Sequence, residues 1–457
     1  MQGPNSKDTI LEGRIFAPLL KFAIPLMLSI LLQALYGAVD LIVVGKFGDT
    51  AGVAAVSNGS QIMLTVSEIV TGLTMGVTVL VGRYVGAKDY DSAARTIGGM
   101  IKVFLTVGLV LAVFLVTFAP QIVMLMSVPA EAVDKTIDYI RICGGGMVFI
   151  ASFNVISGLF RGLGNSKSPL LFMTIACVVN ILGDLLLCGV FKLDAAGAAM
   201  ATVFAQAVSV AFSIYKIRGD ALPFKLKKEH LIHSKGFALR ILSVGTPVAL
   251  QDFLVSFSFL IIMAIINGIS LVASASIGIA EKLFVFLALV PISFMYALSA
   301  FVAQNVGAKQ EQRAIKGMRA GMIASFGFGL VMGLLTFFEG SFLASFFVDN
   351  DPLVIASTQS YLRGVAGEYL VLPFIFCFLG YFNGIGKTKF VLIEGLLSSF
   401  LVRIPLCFLF SRLPGAELFT IGLSVPISSV ASLLMCAGYY VFVRKKRLSM
   451  HLCLPEE

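Results

Sequence analysis

Long apolar runs, broken at intervals by charged or Pro/Gly-rich punctuation, dominate this chain. Twelve of them are long enough to cross about 30 Å of hydrocarbon as helices. Their approximate limits are 16–46, 53–82, 95–118, 133–159, 168–190, 195–216, 239–267, 272–303, 316–338, 355–382, 390–411 and 418–443. The basic residues alternate in step with this count. Lys7 and Arg14 precede the first span, Arg83, Lys88 and Arg95 follow the second, and Arg161 and Lys167 follow the fourth. Seven more crowd the stretch from Lys216 to Arg240, and others sit at Lys309–Arg319, Lys387–Lys389 and Arg444–Arg447. The opposite loops carry only Lys46, Lys135, Lys192 and Arg412. The positive-inside rule therefore predicts cytoplasmic termini and a cytoplasmic linker.

The same pattern is written twice. Phe160-Arg-Gly-Leu-Gly-Asn-Ser-Lys167 recurs as Phe382-Asn-Gly-Ile-Gly-Lys-Thr-Lys389, and Tyr139-Ile-Arg141 recurs as Tyr361-Leu-Arg363. Val85-Gly-Ala-Lys88 recurs as Val306-Gly-Ala-Lys309, and Ile24-Pro25 matches Thr246-Pro247. A near-constant offset marks an internal duplication. Six spans per copy is an even number, so both copies point the same way and are related by a pseudo-twofold axis along the membrane normal. The expected fold is an all-α integral membrane protein of two six-helix bundles, residues 1–215 and 241–447. A basic linker at 216–240 joins them, and a tail follows at 448–457. Two bundles facing each other would enclose a cleft and alternate its access by rocking.

Composition agrees with this class and excludes others. Of 457 residues 58% are hydrophobic and 13% charged, and the mean hydropathy is +0.96, too little polar surface for a soluble globule. A net charge of +9 would suggest nucleic acid in a soluble protein, but here it belongs to loops against the bilayer. The polar leader through Arg14 runs into a span too long for the core of a cleaved signal peptide. Six cysteines lie in apolar segments and Cys453 in the tail, giving neither a disulfide framework nor a metal spacing. His230 and His233 stand three apart in the basic linker without a further ligand. No Ser-His pairing, histidine–cysteine cluster or nucleotide-binding loop appears, so neither an enzyme nor a cofactor is expected.

Candidate chemistry comes from ionisable groups placed inside spans, where an aspartate near the bilayer centre costs about 2.5–3.5 kcal/mol even on a lenient scale. Asp40 and Asp184 each lie about six residues from the same end of their spans, roughly 9 Å deep. Thr202 shares that layer, and Asn180 lies one turn from Asp184 on the same helix face. Gln33 and Tyr36 share the face of Asp40; Asn58, Gln61 and Glu68 line a face of the second span. In the second copy Asp252 and Glu368 are cavity candidates. Adding 222 to Asp40, Asn180 and Asp184 gives Ile262, Val402 and Leu406, so the helices pack without those groups. Two carboxylates at one depth repel when both are charged, which suits the pair to sharing a proton. With amide and hydroxyl oxygens beside them they suit sodium equally. The repeat-equivalent Arg141 and Arg363 read as structural, with helix carbonyls among their natural partners.

Pro25 with Gln33-x-x-Tyr36-x-x-x-Asp40-x-x-x-x-Gly45, Val85-Gly-Ala-Lys88, Gly162-x-Gly164-x-x-Lys167, Asn180-x-x-x-Asp184 and Gly197-Ala-Ala-x-Ala-Thr202 resemble the multidrug and toxic compound extrusion (MATE) transporters, NorM- and DinF-like. The resemblance covers nearly the whole chain. It implies a monomeric secondary active exporter in a bacterial inner membrane, moving small amphipathic or cationic organic compounds by antiport with H+ or Na+. The coupling cation would bind at Asp40, Asn180, Asp184 and Thr202. Where sodium-coupled members typically carry a glutamate, Val255 stands. A flippase for lipid-linked saccharide precursors, of similar outline, is the alternative.

Overall fold

The computed structural model describes residues 10–126, 128–219, 222–232, 234–348, 351–413 and 417–452, with side chains for all but 271 and 446–452. Lys7, His233 and Cys453 lie outside the described residues. The first half comprises α1 (Phe16–Phe47), α2 (Thr50–Gly86), α3 (Tyr90–Leu125), α4 (Val133–Gly145), α5 (Met147–Gly162), α6 (Lys167–Asp184) and α7 (Asp194–Arg218). The short α8 (Lys228–Ile232) precedes α9 (Lys235–Asn267), α10 (Leu271–Leu287), α11 (Leu289–Gly307), α12 (Glu311–Phe338) and α13 (Gly340–Ser345). Then follow α14 (Pro352–Val365), α15 (Glu368–Gly384), α16 (Thr388–Leu396), α17 (Ile404–Ser411), α18 (Leu418–Gly422) and α19 (Ser424–Leu452). Among the described residues, 10 helical stretches are long and apolar enough to span a membrane, and 12 when two bent pairs each count as one span. An all-helical fold is what hydrocarbon demands, because only intrahelical bonds satisfy the backbone there.

The helices are less regular than the apolar runs suggest. The fourth and tenth predicted spans are each two helices, α4 with α5 bent by 53° and α14 with α15 bent by 49°. Glycine-containing joints at Gly146 and Ala366-Gly367 permit these bends, and at Gly146 a Cβ would meet Val203 Cγ1 at 2.4 Å, so α7 packs into the angle. The fifth and eleventh spans carry π-helical turns at Leu185–Val190 and Leu397–Arg403, the first starting directly after Asp184. Hydropathy averages over both features.

The chain clusters into two compact units. One takes everything up to Phe253 with Ala300–Arg313 and Gly384–Gly386; the other takes Leu254–Ser299, Ala314–Asn383 and the chain from Lys387 on. In the first unit α2 meets α9 through Gly72 and Gly76, where a Cβ would fall 2.4 Å from Ala249 Cα and 2.3 Å from Ile241 O. Small residues let the two backbones touch. Arg313 joins this unit by donating to the carbonyls of Ile10, Glu12, Gly13 and Arg14 at 3.2, 3.0, 2.8 and 3.4 Å.

A charged clasp closes the α1–α2 turn of the same unit. Asp49 caps α2 by accepting from Gly52 N at 2.7 Å, and Lys135 Nζ reaches Asp49 Oδ1 and Asp194 Oδ2 at 2.6 Å each. Asp194 opens α7 at φ 50°, with its carboxylate so close over Gly48 and Gly52 that a Cβ at either would fall about 2 Å from Oδ1. Three helix ends are thereby tied two turns beyond Asp40.

Lys135→Met is expected to lower the unfolding temperature at pH 7 by only about 1–3 °C, since Lys135 and Asp49 are largely solvated and Asp194 alone is mostly buried. Asp49 is held below the ordinary carboxylate range, first by its hydrogen bond to Lys135 and then by Gly52 N–H. A depressed carboxylate contributes stability above its unfolded value, about 3.9, and loses it as acid protonates the folded state. The gap between wild type and variant therefore narrows below about pH 4; a gap unchanged at about pH 3 would show that the charges of the clasp contribute nothing.

Candidate functional site

The first unit gathers polar side chains from α1, α6 and α7 into one buried pocket. Asp40, Asn180 and Asp184 are 3%, 1% and 0% exposed. Asn180 Nδ2 donates to Thr202 Oγ1 at 3.4 Å, and Thr202 Oγ1 donates to Asp40 Oδ2 at 3.5 Å. Both bonds lie at the long limit, so the set is held loosely. Asp184 stands against Asp40, each carboxyl within the other's field. Among the described residues no N–H or hydroxyl donor reaches Asp40 Oδ1, Asn180 Oδ1 or either carboxylate oxygen of Asp184. Buried oxygens are nearly always paired, so four unpaired ones in one pocket mark a place where a proton or a small hard cation would be received.

Half-buried Tyr36 completes the α1 face, lying within the field of Asp40 and beside Gln206 of α7. Tyr139 and Cys143 of α4 approach the same carboxylate. Gln206, Tyr139 and Cys143 were not legible in the sequence as site residues, because an amide, a phenol and a thiol in spans are common packing groups. The remaining candidates divide. Gln33 is half-buried one turn below Tyr36. Asn58 turns its amide onto Ala54 O of its own helix at 2.8 Å, and Gln61 is exposed. Exposed Glu68 and half-buried Asp252 lie in each other's electrostatic reach, a second acidic pair in the first unit.

Glu368 belongs to a different arrangement in the second unit. It is 3% exposed, accepts from Ser429 Oγ at 3.3 Å and faces Arg403 Nη2 at 4.0 Å. Arg403 also donates from Nε to Ser428 Oγ at 2.9 Å and lies 5.1 Å from the Phe259 ring centroid. Glu394, 2% exposed, is hydrogen-bonded by Ser432. Where the first unit buries carboxylates without a cation, the second supplies a guanidinium. Among the described residues no cluster of His, Cys, Asp and Glu has the makings of a transition-metal site.

Comparison with known proteins bears on this geometry. The MatE family model matches residues 25–186 and again 247–409, one match to each copy of the repeat. "Probable multidrug resistance protein YoeA" of Bacillus subtilis (strain 168) is 26% identical over 434 residues, covering 93% of both chains. The "FAD transporter" of Shewanella oneidensis is 26% identical over 459 residues, covering 95% of this chain and 96% of its own. A solved structure described as the outward-facing conformation of a multidrug resistance MATE family transporter of the MOP superfamily superposes with a TM-score of 0.89 at 19% identity. It covers 97% of this chain and 100% of that one, a likeness of fold.

Arg403→Leu strands the Glu368 carboxylate in the second unit, and removing one partner of a buried pair costs about 3–5 kcal/mol. Adding Glu368→Gln to that variant is expected to restore most of the loss in thermal unfolding of the purified protein. A double variant no more stable than Arg403→Leu alone would show that the two charges do not depend on each other.

Proposed function

The chain belongs to the MatE family, and we propose that it is a secondary active multidrug exporter that couples efflux of amphipathic organic cations to entry of H+ or Na+ at the Asp40–Asp184 pocket. The observation that carries this reading is the set of unpaired, buried oxygens on Asp40, Asn180 and Asp184. A proton removes one charge from the pair; a sodium ion would take Asp40, Asn180, Asp184 and Thr202 as oxygen ligands. Either event changes the field that a cationic drug meets, so cation and drug compete for the same negative charge. Entry of the coupling cation then weakens the hold on the drug, and the emptied carrier returns with the cation aboard. One charge moved through 100 mV supplies about 2.3 kcal/mol, a usable driving force without nucleotide hydrolysis.

The distribution of basic residues supports cytoplasmic termini, and the bacterial relatives support a plasma-membrane location. With that orientation the pocket lies toward the outside, where a cation arriving down its gradient reaches it first. Multidrug names among the relatives support a broad organic substrate class. The FAD transporter points to an anionic flavin as another cargo, but the carboxylates Asp40, Asp184, Glu68 and Asp252 favour cations.

In proteoliposomes carrying the protein, efflux of a fluorescent cationic dye is expected when a proton gradient or a sodium gradient is imposed separately. Asp40→Asn, inserted at wild-type level, is expected to lose the gradient-driven component by about tenfold or more, the effect of deleting an interaction of at least about 1.4 kcal/mol. Undiminished efflux in Asp40→Asn would sink the assignment of coupling to this pocket.

A further inference from the structure

The bend of the tenth span opens a groove in the second unit that the transport reading does not use. It has a volume of about 630 Å³ and is lined by α12, the α14–α15 joint, α18 and α19, within the range of about 300–1,000 Å³ typical of small-molecule sites. Its walls are almost wholly apolar: Leu334 and Val430 are 50% and 45% exposed, and Gly364, Ala366 and Gly367 form the wall at the bend. The one charged lining residue is Arg363. It donates from Nε to Phe337 O at 3.2 Å and lies 5.9 Å from that residue's ring centroid, and among the described residues it has no carboxylate in ion-pair contact.

The position of the guanidinium sets what can enter. Phe337 is the penultimate residue of α12, and Phe419 is the second residue of α18. A Cβ on Gly364, next to Arg363, would fall 2.3 Å from Phe419 O. Arg363 therefore lies level with the ends of two membrane-competent helices, the part of a span nearest the polar headgroups. From Phe337 down to Leu330 the groove descends seven helical residues, about 10 Å into hydrocarbon. An apolar surface facing lipid is ordinary. A concave one with a lone guanidinium at its rim has the two-part chemistry of a phospholipid, an acyl chain below and a phosphate above. Arginine is suited to the phosphate because its amino groups bind it as a fork while Nε stays on Phe337.

We propose that this groove is a binding site for one anionic phospholipid, its acyl chain against the bend of α14 and α15 and its phosphate on Arg363. Occupation would brace the joint at Ala366-Gly367, adjacent to Glu368. The full-length protein, exchanged into mixed micelles containing phosphatidylglycerol or phosphatidylcholine with the same acyl chains, can be read by native mass spectrometry. The expected result is one retained lipid per chain, with about a fivefold preference for phosphatidylglycerol. Arg363→Gln, which keeps an amide donor for Phe337 O, is expected to abolish the preference, and Arg363→Lys, which keeps the charge without the fork, to keep only part of it. Val430→Trp, filling the groove, is expected to lose the retained lipid of either kind. Equal retention of the two lipids by wild type, an unchanged preference in Arg363→Gln, or full retention in Val430→Trp would each overturn the proposal.

Discussion

Burying two carboxyl groups side by side without a counter-cation is a standing electrostatic conflict, and the first unit is built around it. Neither helix propensity nor packing asks for Asp40 or Asp184, and a charged carboxylate in a low-dielectric interior is costly unless paired. The surrounding groups moderate the conflict without resolving it. Thr202 and Asn180 reach in with long hydrogen bonds, and four oxygens are left without donors. Such a pocket is in its most favourable state when something positive has entered. A preference for an occupied state is the property that the proposed ion-coupled carrier needs.

The second unit shows how the same repeat looks when the conflict is settled internally. At the positions of Asp40, Asn180 and Asp184 it carries Ile262, Val402 and Leu406, with Ile262 buried as ordinary core. Its own buried carboxylates, Glu368 and Glu394, lie near Arg403 and take hydroxyl donors from Ser429 and Ser432. A network that holds its own countercharge has less need of an external cation. The duplicated chain has thus diverged by charge while keeping one helical scaffold, and the asymmetry supports the proposal of coupling chemistry in the first copy.

Apolar periodicity gave a nearly complete account of the span count, because a run that must cross hydrocarbon has few alternatives to a helix. The duplicated Phe160–Lys167 and Phe382–Lys389 segments likewise made the two-copy design legible, as the family match at 25–186 and 247–409 shows. Counting residues from helix ends also put Asp40, Asp184 and Thr202 in one layer, and the side chains do meet. The bends at Gly146 and Ala366-Gly367 and the π-helical turns were hidden, since each changes direction or hydrogen-bond register without changing hydropathy. Tyr139, Cys143 and Gln206 were hidden because a phenol, a thiol and an amide inside spans look like ordinary packing groups; Tyr139 and Cys143 lie in the field of Asp40 and Gln206 beside Tyr36. The Lys135 clasp was hidden because its three charges lie far apart in sequence and look like ordinary loop residues.

The most direct test of the claim that cation and drug compete for one negative charge is equilibrium binding of a fluorescent cationic dye to the purified protein. Affinity would be followed across pH at zero sodium and across sodium at fixed pH, in wild type and in Asp40→Asn. Linkage requires that a cation which weakens dye binding is itself displaced by dye. Wild-type affinity is expected to fall as one of the two cations is raised, and Asp40→Asn to lose this dependence. A wild-type affinity indifferent to both cations, or an identical dependence in Asp40→Asn, would contradict competition at this pocket.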